Sequence, residues 1–216
     1  MRLALDHLVI AARTLGDGMD WCDATLGLRP TAGGQHLFMG THNRVFDVSS
    51  PRFPRSYVEI IAVDPSLPAP AHPRWFDLDD SAQQQQLARG PQLVHWVARV
   101  DDGDIDTACA AMLRAGVDCG DVMSAERGTL RWHITVRADG RRALAGASPA
   151  LIEWADAHPT DALTASGVRL EALHVAAPAL SEWLPPAIRG DAVPPLVAVL
   201  ATPRGTVTLT TPLMKA

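Results

Sequence analysis

Two apolar stretches of this chain each hold one His near their start, and each is answered further on by a lone Glu in a stretch of the same kind: His7 with Glu59, then His95 with Glu153. The wording around them repeats as well. Leu5-Asp6-His7-Leu8-Val9-Ile10-Ala11 is echoed by Leu93-Val94-His95-Trp96-Val97-Ala98 and, more faintly, by Ala172-Leu173-His174-Val175-Ala176. Such a repeat constrains the fold to a duplicated unit. Side chains alternate between the two faces of a strand, so His7 is expected to share a face with Leu5 and Val9, and each Glu to sit among apolar neighbours. An ionised carboxylate there is costly unless something compensates it. No Lys or Arg adjoins Glu59 or Glu153 in sequence, which leaves a distant cation, a metal, a hydrogen-bonded site or a solvent-filled cavity.

The order of elements supports the duplication. In residues 1–63, a strand from Leu3 to Ala11 is followed by a helical pattern from about Thr14 to Leu26, with Thr14 or Asp17 as its cap and Gly27 as its stop. A short strand at Gly33-Gly34 and two more, His42 to Val48 and Tyr57 to Val63, complete a strand, helix and three-strand module. Residues 64–91 carry Pro65, Pro68, Pro70 and Pro73 and a polar tract from Ser81 to Gln86. They read as a linker with a short helix at Ala82 to Arg89. The order restarts over 92–160: strand Gln92 to Val100, helix Asp104 to Ala115, strands Cys119 to Glu126 and Leu130 to Arg137, a polar loop over 138–149, and the strand bearing Glu153. Residues 167–216 repeat part of the theme as a partial third module, with a helical piece at Ala179 to Leu184 and a hairpin through Pro203-Arg204-Gly205.

Composition narrows the partners. A formal net charge of -5 gives no basic footprint, so neither nucleic acid nor membrane is expected as a partner. No run approaches the roughly twenty apolar residues of a membrane span, and the chain enters a strand pattern with no signal-like segment, which points to the cytoplasm. Cys22, Cys109 and Cys119 have no CxxC spacing and read as reduced thiols of an intracellular protein.

These features resemble the vicinal oxygen chelate superfamily, and within it the glyoxalase-like domain proteins. The resemblance rests on the ordered His and Glu pairs, on Gly33-Gly34-Gln35-His36 followed by Gly40-Thr41-His42-Asn43, and on Tyr57-Val58-Glu59. It extends over both modules and the tail. It implies an α+β fold in which paired βαβββ modules form a cupped half-barrel sheet around one metal, with His7, Glu59, His95 and Glu153 as ligands. Two imidazoles and two carboxylates suit a divalent ion such as zinc, nickel, cobalt, manganese or iron(II), which polarises a carbonyl or enediolate oxygen. Glu59 or Glu153, leaving the metal, would serve as the catalytic base. With only His7, His95 and Glu153 bound, the site becomes the facial set of iron(II) and oxygen chemistry. The function implied is a metal-dependent lyase or isomerase acting on a small oxygen-rich substrate, by a monomer or homodimer. The rival from another class is a metal-free small-molecule-binding protein of resistance type. An extradiol-type dioxygenase ranks third, because the chain is shorter than the usual four-module enzymes.

Each residue also has a plainer reading. A single His on a strand face is most often a hydrogen-bonded structural residue, and it is the pairing that argues for a site. His36, Asn43 and Arg44 are candidate substrate contacts, set against simple turn chemistry in a Gly-rich loop. Arg127 and Arg131 are the nearest cations for an acidic substrate, Trp132 reads as core, and His174, with no answering Glu, as a remnant of duplication. Removing the His95 imidazole is expected to cost metal affinity and leave the fold intact.

Overall fold

The computed structural model describes residues 3–101, 104–189 and 194–212. The first module holds β1 (Leu3–Ala11), α1 (Leu15–Leu26), β2 (Ala32–His36), β3 (Thr41–Asp47) and β4 (Tyr57–Val63). Helix α1 starts where Thr14 Oγ1 accepts the Asp17 N–H and stops at Gly27, whose φ of 75° is left-handed. After α2 (Ser81–Leu87), the second module runs through β5 (Gln92–Val100), α3 (Ile105–Arg114), β6 (Asp121–Arg127), β7 (Leu130–Val136) and β8 (Ala150–Trp154). The eight strands form one curved, nearly closed sheet in the order β2-β3-β4-β1-β5-β8-β7-β6. The modules join through antiparallel β1 and β5, and in each the first strand pairs parallel with the last. Edge strands β2 and β6 come into contact and leave a seam between the modules.

Two bulges set the phase of the central strands. Opposite β5, Leu5 pairs with Ala98 but His7 pairs with Val97, so Asp6 is an extra residue in β1; Val9 pairs with His95 and Ile10 with Leu93, so Val94 is the extra residue in β5. Strict alternation is thus broken in the same place in both modules. Leu5, Leu8 and Ile10 pack with the helices on the outer face, while Val9 and Ala11 belong to the core inside the cup. His7 therefore shares its face with Val9 and not, as alternation alone would have it, with Leu5.

The segment between modules does more than connect them. Its Trp75, Phe76, Leu78 and Leu87 are buried in the inner core. Asp80 caps α2 by accepting from the Ala82 and Gln83 N–H groups, and the loop over 138–149 clamps the segment through buried Arg142. That side chain donates to Asp77 Oδ2 at 2.7 Å, to the Val94 carbonyl at 2.8 Å and to Gln83 Oε1 at 3.0 Å. A linker reading, taken from proline content, has no means of placing those apolar side chains.

The tail is a second sheet of β9 (Arg169–Val175), β10 (Ile188–Arg189), β11 (Leu196–Thr202) and β12 (Gly205–Thr210), in the order β10-β9-β11-β12. The helix expected at Ala179 to Leu184 is a single 3-10 turn over Pro178–Leu180. Alternate residues Leu196, Ala198 and Leu200, with Leu170 and Leu173, join the outer core against the back of the main sheet. Among the described residues no helix is long and apolar enough to cross a membrane, and the three cysteines are free thiols.

Candidate active site

The first-module half of the cup gathers polar side chains from four strands. The bulge brings Asp6 beside His7, whose Nδ1 donates to Asp6 Oδ1 at 2.7 Å. Asp6 Oδ2 accepts from His158 Nε2 at 3.0 Å and from Trp154 Nε1 at 2.9 Å. Burial alone pushes this carboxyl upward, but the hydrogen bonds and charges of His158 and His7 outweigh it and hold Asp6 well below the usual carboxylate range. The other imidazole nitrogen, His7 Nε2, lies 3.8 Å from Glu59 Oε2. Tyr57 stacks on the His7 ring at 4.5 Å; burial, with Asp6 and Glu59 nearby, keeps its phenol protonated.

Glu59 is held from the other side by the Gly-rich hairpin. Asn43 Nδ2 donates to Glu59 Oε1 at 2.7 Å, while Asn43 Oδ1 accepts from the Gly34 N–H at 2.9 Å and from Arg127 Nη1 at 3.2 Å. His36 Nε2 stands 3.7 Å from Glu59 Oε1 and its Nδ1 is hydrogen-bonded to Thr41 Oγ1. Burial lowers its pKa to about 4, outweighing the attraction of Glu59, so His36 is a neutral imidazole at pH 7. These groups enclose a cavity of about 30 Å³, room for little more than one water. Through His36, Arg127, Trp132 and Trp154 it shares a wall with an open cleft of about 1400 Å³ at the seam. The glycines serve this geometry. A Cβ on Gly33 would sit 2.1 Å from the Asn43 carbonyl oxygen, and one on Gly34 would sit 2.6 Å from Arg127 Cδ.

The second-module half is built differently. His95 is buried in van der Waals contact with Phe76, their rings 5.0 Å apart. Its Nε2 accepts the Ala150 N–H at 3.0 Å, leaving Nδ1 buried without a hydrogen-bond partner. Burial, reinforced by the charges of Arg142 and His7, lowers its pKa to about 3. Register explains where the expected second carboxylate went. Glu59 pairs with Val9, two residues after His7; the residue pairing with Val97, two after His95, is Ala150. Glu153 lies three positions further on. An odd offset reverses the face, and Glu153 meets His133 Nδ1 at 3.4 Å on the side opposite Ile152 and Trp154.

Of the four residues implied as metal ligands, then, His7 and Glu59 come together while His95 and Glu153 do not join them. Among the described residues no three His, Cys, Asp or Glu side chains stand where a metal would engage them, so the implied four-ligand set does not fit. Of the candidate substrate contacts, His36 and Asn43 touch Glu59 directly and Arg131 lines the cleft. Arg44 turns aside, donating to the Asn43 carbonyl at 2.9 Å. Asp6, Trp154 and His158 were not singled out by the sequence pattern, and Tyr57 entered it only through the Tyr57-Val58-Glu59 motif. The Asp6-His7 dipeptide carried a signal for the first, masked by the assumption of regular alternation.

A family model described as a glyoxalase-like domain matches residues 5–187. No curated protein matches the chain. Among solved structures, a Streptomyces coelicolor methylmalonyl-CoA epimerase variant bound to 2-nitronate-propionyl-CoA is 21% identical, with 72% of this chain and 98% of that one covered and a TM-score of 0.43. The Mycobacterium tuberculosis methylmalonyl-CoA epimerase is 20% identical over 74% of this chain and 91% of its own, with a TM-score of 0.39. A hypothetical protein from Bacillus halodurans is 14% identical over 71% and 94%, with a TM-score of 0.40. With paired βαβββ modules in one curved sheet and a family match over most of its length, the chain belongs to the glyoxalase-like domain family of the vicinal oxygen chelate fold.

Proposed function

We propose that the chain is an isomerase- or lyase-type enzyme that moves a proton at a carbon next to a carbonyl in a small oxygen-rich substrate, with Glu59 as the base. The supporting observation is the pairing of Glu59 with two imidazoles in a small cavity that shares a wall with a large cleft. Asn43 fixes Oε1, and among the described residues Oε2 receives no hydrogen bond. The substrate C–H bond breaks, Oε2 takes the proton, and the electron pair moves onto the carbonyl oxygen to give an enolate. Returning the proton to the opposite face or to the neighbouring carbon completes an isomerisation; loss of a group from the adjacent carbon completes an elimination. His7, 3.8 Å from Oε2, is placed to relay the proton. Ionised Asp6 on its Nδ1 favours the imidazolium that would form. Neutral His36 leaves the Glu59 charge uncancelled.

The test is solvent exchange. Small carbonyl compounds in D₂O with the enzyme should lose their C–H proton signal, and Glu59→Gln should slow that exchange by about 10²–10⁴-fold; an unchanged rate in this variant refutes the assignment. A divalent ion held at His7 and Glu59 is the second reading. The Asp6–His7 pair favours it, since a carboxylate behind an imidazole fixes the tautomer that ligates. One equivalent of metal in untagged protein, lost in His7→Ala, would establish it.

A further inference from the structure

Taking Glu59 as the base, we infer that the substrate is a carboxylic acid anchored by Arg127, with its reacting carbon only a few bonds from the carboxylate. Arg127 ends β6 at the edge of the second module, yet its side chain crosses the seam and lies over Gly34 of the first. There it forms part of the wall shared by the small cavity and the open cleft. Its one hydrogen bond to the described residues goes to a neutral acceptor, Asn43 Oδ1, at 3.2 Å. No described carboxylate pairs with it. The other carboxylates of the cleft lie against other side chains: Glu153 faces the His133 imidazole at 3.4 Å, and Glu126 lies 3.9 Å from Arg131 at the rim. A half-buried guanidinium with no carboxylate in contact is a site for an anion, and its planar fork fits a carboxylate in two parallel hydrogen bonds.

The spacing narrows the substrate further. Arg127 and Glu59 are bonded to opposite ends of one amide, the Oδ1 and Nδ2 of Asn43, so their charged groups stand no more than about 8 Å apart. A carboxylate on Arg127 therefore leaves room for one to three carbons before the C–H bond facing Glu59. An oxo acid with its acidic C–H close to the carboxylate meets that condition. A long-chain acid that reacts at its far end does not.

The experiment compares 2-oxobutyrate with its uncharged methyl ester by calorimetric titration of the whole chain. The acid should bind the wild-type protein, with Arg127→Gln weakening it at least about tenfold and Arg127→Lys restoring part of the loss. Gly34→Ala keeps the charge but pushes the guanidinium aside, and should weaken binding comparably, which guards against misreading a folding defect in the Arg127 variants. Unchanged binding in Arg127→Gln, equal affinity for acid and ester, or no binding of the acid each overturns the inference. Deuterium exchange separates it from the reading it rests on. Acid bound through Arg127 but never exchanged sinks Glu59 as base and leaves the anchor standing, whereas exchange of acid and ester at equal rates sinks the anchor and leaves the base.

Discussion

The two halves of the cup start from the same strand motif and end as opposites. In the first, the bulge residue is Asp6, the register partner of Val9 is Glu59, and the small cavity in front of them shares a wall with the cleft. In the second, the bulge residue is Val94, the register partner of Val97 is Ala150, and the Phe76 ring packs against His95. One repeat gathers polar side chains around its carboxylate while the other packs an aromatic ring against its imidazole. Sequence similarity between repeats reports a shared backbone, whereas the side chains carried at matching positions decide what each half can hold.

Phe76 is where the contrast breaks most visibly. Phe76→Ala should destabilise the fold by about 3–5 kcal/mol, because it removes a buried ring between Trp75 and His95. A denaturant titration reads this directly, and a loss below about 1 kcal/mol would mean that the second half is not a packed core.

His95 sharpens the comparison. Its ring is buried and its Nε2 satisfies a buried N–H, so His95→Ala leaves both a cavity and an orphaned donor. The expected cost is about 2–4 kcal/mol. That reverses the expectation drawn from sequence, in which loss of this imidazole spared the fold. A thermal midpoint unchanged by the substitution would restore the earlier view.

Acid should find both halves. His36 and His95 have pKa values of about 4 and about 3 in the folded chain, against about 6.5 unfolded. Between those limits the unfolded chain binds protons that the folded chain refuses, so stability rises with pH there and is lost as pH falls from about 6.5. Each histidine adds a slope of up to about 1.4 kcal/mol per pH unit. Thermal melts between pH 7 and pH 5 should show the loss, with a shallower dependence in His36→Gln if that residue is buried neutral.

The smallest effect belongs to Glu153. Facing His133 on a partly exposed surface, its change to Gln should alter stability by less than about 0.5 kcal/mol and leave solvent exchange within about twofold. A large loss of exchange would return it to the site.

What could be read from the chain was the architecture and part of the polar cluster proposed as the site. The periodicity of β1, α1 and β4, the capping at Thr14 and Gly27, and the restart at Gln92 all reflect local physics that short windows of sequence carry. His7, Glu59, His36 and Asn43 were legible for the same reason, since each lies in a motif whose residues remain neighbours in the sheet. Glu153, expected beside His7 and Glu59, is turned by an odd offset along β8 to the opposite face, towards His133 and the open cleft, and only long-range pairing fixes that register. The role of Trp75 and Phe76 was hidden for a related reason. Burial of a segment between modules depends on a space that neither module's own sequence describes.

The extra residue in β1 has a consequence for how this strand can change. Leu3 and Leu5 are read in one phase, outward, and His7, Val9 and Ala11 in the other, inward, with Asp6 as the break between them. Replacing Asp6 alters one side chain. Removing it would leave Leu5 opposite Ala98 and His7 opposite Val97 as they stand, a regular alternation that keeps His7 inward but without the carboxylate on its Nδ1. Substitution and deletion at this position therefore converge on one loss, that of the carboxylate behind His7, while the frame of the strand survives both.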